Sequence, residues 1–88
     1  MNLKKMILTT HQSELLFKVA ESHLAWYNLY YNDPPKFEIL LELNHTKLEY
    51  CIDDLTTEAQ VTEMLNTMKQ QYDRMITEYS GNNFNNFE

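Results

Sequence analysis

Residues 36–55 read KFEILLELNHTKLEYCIDDL, and the fold turns on the period assigned to them. Phe37, Ile39, Leu41 and Leu43 alternate with Lys36, Glu38, Leu40 and Glu42, and Leu48, Tyr50 and Ile52 alternate with Lys47, Glu49, Cys51 and Asp53. An apolar residue at every second position is the mark of a strand with one buried face. Superposing the two buried faces pairs Leu43 with Leu48, Leu41 with Tyr50 and Ile39 with Ile52, with a tight turn at His45-Thr46, so the stretch predicts a β-hairpin. The same register sets Glu42 opposite Glu49 and Glu38 opposite Asp53. Like charges so placed destabilise a sheet by up to about 1 kcal/mol per pair. The hairpin therefore needs an offset, either from Lys4, Lys5, Lys36 and Lys47 or from a basic partner.

The flanking segments carry helix signals. Thr9-Thr10-His11-Gln12 and Thr56-Thr57-Glu58-Ala59-Gln60 each place a threonine three residues before a glutamine, the spacing of a capping box. The first helix is expected from about His11 to Tyr31, stopped by Pro34-Pro35, since proline drives the backbone before it out of the α region. The second is expected from Glu58 to about Tyr79, ending at Ser80-Gly81. Its apolar residues Val61, Leu65, Met68, Tyr72, Met75 and Tyr79 recur in steps of four and three, the period of one helix face. Residues 3–8 fit a third strand or an extension of the first helix; the strand leaves Thr9-Thr10 free to cap. The expected architecture is α+β, in the order β-α-β-β-α: a small three-stranded antiparallel or mixed sheet with two helices on one face. Residues 1–80 form this one domain, and residues 81–88, an Asn/Phe repeat, form a flexible tail.

A chain of 88 residues and 10.6 kDa allows one small core. Its single cysteine, Cys51, excludes an internal disulfide, and the apolar run Met6 to Leu8 is too short for an export signal, so a cytoplasmic location is expected. Glu14, Lys18, Glu21 and His23 interrupt the most hydrophobic segment, so no membrane span or membrane partner is expected. The sequon Asn44-His45-Thr46 carries no meaning in that compartment.

No residue set points to catalysis, a cofactor or a metal. His11, His23 and His45 with one cysteine make no zinc pattern. Asp53, Asp54 and Glu58 lack the glycine and the regular ligand spacing of a calcium loop. Paired carboxylates act as acid and base when burial separates their pKa values, and a solvent-facing hairpin offers no such burial. The informative feature is charge: residues 37–63 hold seven acidic residues against Lys47 alone, which accounts for the whole net charge of −6. Glu38, Glu42, Glu49, Asp53 and Asp54 are therefore the candidate acidic docking face for a basic protein surface. The segment Leu24-Ala25-Trp26-Tyr27-Asn28-Leu29-Tyr30-Tyr31 supplies a second candidate, Trp26, Tyr27, Tyr30 and Tyr31, as a partner or dimer surface. Phe84 and Phe87, three residues apart in the tail, supply a third. The low content of basic residues argues against direct nucleic-acid binding.

The expected function is a small, acidic, non-enzymatic protein-binding module, an inhibitor or regulator. It would dock on the basic surface of a nucleic-acid-processing protein, its carboxylates standing where phosphates would lie. In size and charge, and in no motif, the chain resembles the small acidic inhibitors of phages and mobile elements, anti-CRISPR proteins among them. The alternative is a homodimeric structural or assembly protein associating through its helices.

Overall fold

The computed structural model describes residues 7–86, with the side chains of Tyr30 and of residues 80–86 left outside the description. It is all helical: α1 spans Thr10–Tyr30, α2 spans Phe37–Cys51 and α3 spans Glu58–Asn86. Among the described residues there is no strand, which overturns the α+β architecture, its three-stranded sheet and the hairpin at its centre. Of the expected first strand, residues 3–6 lie outside the described residues, and residues 7 and 8 have no regular structure.

The stretch from residue 36 to 55 satisfies two periods at once, and the helical one prevails. Leu40, Asn44 and Leu48 follow one another at intervals of four and are the buried residues of α2, while Phe37, Leu41 and Ile52 are half-buried around them. The strand reading leaves Leu40 on the solvent face, yet it is 1% exposed. A two-residue hairpin turn favours positive φ and hence glycine. No glycine occurs between residues 36 and 55, and no positive φ occurs among the described residues. Leu, Glu and Lys fill half of the segment, and they are good helix formers. The helix also removes the cross-strand carboxylate pairs, because Glu42 and Glu49 become neighbours two turns apart. A two-stranded ribbon with no third strand would have been marginal in water.

The two capping boxes form as expected. Gln12 N donates to Thr9 Oγ1 at 3.0 Å and Thr9 N donates to Gln12 Oε1 at 3.0 Å; Gln60 N donates to Thr57 Oγ1 at 3.1 Å and Thr57 N to Gln60 Oε1 at 2.9 Å. Each box satisfies two amides that a helix start otherwise leaves open. The first helix stops at Tyr31, whose backbone is extended (φ −119°, ψ 141°), just ahead of Pro34-Pro35. Ser80-Gly81 does not stop α3, which continues to Asn86 at the cost of a mid-helix glycine, about 1 kcal/mol.

α1 and α3 run parallel. Gln12 Nε2 donates to Glu58 O (3.0 Å) and to Thr62 Oγ1 (3.2 Å), and Ser22 Oγ donates to Asp73 Oδ1 (2.7 Å); the sequence offset stays near 50 from Gln12 to Ser22. Leu16 and Val19 of α1, Leu48 of α2, and Val61, Leu65 and Tyr72 of α3 form the core, with Leu15, Met64 and Met68 packed against it. α2 lies across α1. Its residues Leu41 and His45 share a hollow with Ser13, Leu16 and Phe17, whereas its Asn44 reaches His23, some 10 Å farther along α1.

Candidate functional site

The buried face of α2 is tied down by polar groups at its centre. Asn44 is fully buried, and its Nδ2 lies 2.8 Å from Leu40 O and 3.0 Å from His23 Nδ1. A carbonyl can only accept, so Leu40 O fixes the amide nitrogen on that side. Asn44 therefore donates to His23 Nδ1, and the imidazole is neutral with its proton on Nε2. The Asn44 carbonyl faces the other way and accepts from Tyr72 OH at 3.1 Å, and that hydroxyl accepts from Lys47 Nζ at 3.3 Å. The His23 and Tyr72 rings stack at 4.2 Å with 16° between planes. Burial lowers the His23 pKa below its ordinary 6.5, and the nearby Lys47 ammonium lowers it further.

With that face buried, α2 turns two stripes outward. Glu38, Glu42 and Glu49 fall within about 40° of one another around the helix axis, as do Ile39, Leu43 and Tyr50, and the two stripes sit about 100° apart. All six are exposed, Tyr50 at 87% and Ile39 at 57%. His45 joins the acidic stripe, its Nδ1 3.8 Å from Glu49 Oε1. Glu38 and Glu42 stand over a hollow floored by Leu8, Leu16, Phe17 and Leu41, and Phe17 itself is half exposed, its ring 4.8 Å from that of Phe37.

The five residues expected on the acidic face are thus divided. Glu38, Glu42 and Glu49 share one stripe of α2, but Asp53 and Asp54 belong to the connection to α3. Asp53 shapes that connection: its Oδ1 accepts from Leu55 N at 2.8 Å and from Thr56 Oγ1 at 3.1 Å, and its own N–H donates to Thr56 Oγ1 at 2.9 Å. The opposition of Glu42 to Glu49 and of Glu38 to Asp53 disappears with the hairpin. One like-charge pair replaces it, Glu38 and Glu42 four apart on α2, worth a few tenths of a kcal/mol.

The aromatic candidates cluster at the end of α1. Trp26 packs edge-on against Tyr27 (5.2 Å) and Tyr31 (6.5 Å), and the Tyr27 and Tyr31 rings lie 5.2 Å apart with 34° between planes. Trp26 and Tyr27 are half-buried and Tyr31 is 52% exposed. The Tyr30 side chain, the Phe84 side chain and the whole of Phe87 lie outside the described residues. Cys51 is a free, exposed thiol.

Two features escaped the sequence reading. The tie at Asn44 is visible only once Leu40, Asn44 and Leu48 are placed on one helical stripe, where a lone asparagine between leucines asks for a buried partner. The strand period places Ile39, Leu43 and Tyr50 in the core, whereas α2 exposes them as one apolar stripe. Among the described residues, no group of three or more His, Cys, Asp or Glu side chains is arranged to hold a metal ion, and no helix is long and apolar enough to cross a membrane. Comparison of the chain with protein-family models, with curated proteins and with solved structures finds no match, so the likeness to phage inhibitors gains no support from them.

Proposed function

We propose that the chain is a protein-binding module whose docking element is the outer face of α2. One observation carries this reading: an acidic stripe, Glu38, Glu42 and Glu49, runs beside an exposed apolar stripe, Ile39, Leu43 and Tyr50, on a helix whose opposite face is anchored by Leu40, Asn44 and Leu48. Exposed apolar residues set side by side on an ordered helix suit an interface, whose centre is apolar and whose rim is charged. The partner that complements both stripes is a protein surface with basic residues flanking an apolar hollow. Basic surfaces are the electrostatic footprint of nucleic-acid-handling proteins, so a protein of that class is the proposed partner, with the carboxylates of α2 taking the place of phosphates.

The test is affinity capture from the source cells with the wild-type chain, with a variant carrying Glu38→Gln, Glu42→Gln and Glu49→Gln, and with one carrying Ile39→Ser and Leu43→Ser. A protein held by the wild type, lost from both variants, eluted by salt and displaced by DNA supports the whole reading. Elution by salt without competition from DNA keeps the docking face and removes phosphate mimicry. Equal retention by all three baits refutes the face. A solution mass of twice the chain, reduced to one by Ile39→Ser and Leu43→Ser, assigns the apolar stripe to a homodimer instead.

A further inference from the structure

We propose that the chain of side chains His23, Asn44, Tyr72 and Lys47 is an acid-operated latch, in which one proton taken up by His23 releases α2 from the α1–α3 pair. The geometry sets the mechanism. Asn44 presents a donor to His23 Nδ1 (3.0 Å) because its nitrogen is held by Leu40 O (2.8 Å) and its oxygen by Tyr72 OH (3.1 Å). A proton on Nδ1 sets two donors against each other. Turning the amide over relieves that clash but aims the Asn44 oxygen at Leu40 O as well, two acceptors in a site that is fully buried. In either orientation of the amide a charge on the ring leaves a mismatched pair, whereas the neutral ring accepts from Asn44 at Nδ1 with Leu40 O and Tyr72 OH both satisfied.

Each helix contributes to what the ring meets. α1 supplies Tyr27, with its ring at 5.1 Å; α2 supplies Asn44 and the Lys47 cation; α3 supplies Tyr72, stacked at 4.2 Å. The nearest acid along α3, Asp73, is taken up by Lys69 (2.6 Å) and Ser22 (2.7 Å). Burial and Lys47 both disfavour charge on the ring, so the proton binds more readily after α2 has moved away. Opening is local because the ties differ. The hydrogen bonds described between α2 and the other helices all pass through Asn44 or Tyr72, while α1 and α3 keep separate bonds at Gln12 and Ser22. α2 also meets α3 far less extensively than α1 does. That the latch governs docking rests on the proposed function above; the latch itself does not.

Amide hydrogen exchange on the full chain between pH 7.5 and pH 5, corrected for intrinsic rates, tests the latch without any partner. One-proton uptake requires the protection of the α2 amides to fall below about pH 6.5 by as much as tenfold per pH unit, with protection in α1 and α3 unchanged. His23→Asn keeps an acceptor near the Nδ1 position and cannot titrate, so its α2 protection is expected to be independent of pH. Should that variant fail to fold, the ¹⁵N shifts of His23 in the wild type decide: protonation must coincide with loss of α2 protection. Constant α2 protection, an equal fall in all three helices, or an unchanged pH dependence in His23→Asn overturns the proposal.

Discussion

Replacing Tyr72 by Phe removes one oxygen and almost nothing else, which makes it the sharpest probe of how α2 is held. The ring stays, so its stack on His23 at 4.2 Å and its apolar burial are retained. What is lost is the donor to Asn44 Oδ1 at 3.1 Å. Asn44 is fully buried, so water cannot take the place of the hydroxyl, and a buried acceptor left unpaired costs about 1 to 3 kcal/mol. Lys47 loses an acceptor as well, but it is exposed and water replaces that contact at little cost. The expected loss is therefore about 1 to 3 kcal/mol, out of a total of about 4 to 13 kcal/mol for a chain of this size. Urea titration reads it as a midpoint shift on the order of 1 M. In an Asn44→Leu background the same substitution should cost much less, because no carbonyl remains to be orphaned; the difference is the coupling energy of the pair. A loss below about 0.5 kcal/mol, or an equal loss in both backgrounds, would refute the network.

Stability should rise with pH up to neutrality, since the folded chain holds His23 below its ordinary pKa of 6.5. The unfolded chain then binds more protons between the folded-state value and about 6.5, and stability is lost as pH falls through that window. Thermal melts of wild type and His23→Asn isolate this contribution by difference. Asp73, held below 3.8 chiefly by its bond to Lys69, adds a further loss only in stronger acid, and Asp73→Asn should remove it. Lys36 occupies the N-cap of α2 with no side-chain hydrogen bond to the helix; Lys36→Ser should add about 0.5 to 1 kcal/mol in denaturant titration, as caps commonly do. Thr9→Ala should lose about 1 kcal/mol by opening the first capping box.

Local chemistry was legible in the sequence and the long-range choice was not. The two capping boxes and the double proline depend on residues within a few positions of one another, and Thr9-Gln12, Thr57-Gln60 and Pro34-Pro35 act as their spacing indicates. The apolar steps of α3 were equally plain, with Val61, Leu65 and Tyr72 buried. The central stretch carries two periods, because Phe37, Ile39, Leu41 and Leu43 recur every second residue while Leu40, Asn44 and Leu48 recur every fourth. Leu40, a leucine on the supposed polar face, and the glycine-free turn were the signs that favoured the helix. Charge was legible as composition but not as geometry: the seven acidic residues of 37–63 divide into Glu38, Glu42 and Glu49 on α2, Asp53 and Asp54 in the connection, and Glu58 and Glu63 on α3 only when α2 ends at Cys51. The His23–Asn44–Tyr72 tie joins three helices, and no local pattern reveals such a meeting.

Urea titration of two variants, Leu40→Ser and Tyr50→Ser, tests the central claim most directly, because the hairpin and the helix exchange the places of these residues. Leu40 is 1% exposed and Tyr50 87% exposed, so the helix predicts a loss of about 3 to 5 kcal/mol for Leu40→Ser, from the cavity and the buried hydroxyl together. For Tyr50→Ser it predicts a change within about 0.5 kcal/mol. The reverse order, with Tyr50→Ser strongly destabilising and Leu40→Ser tolerated, would contradict the helix and with it the docking face that α2 presents.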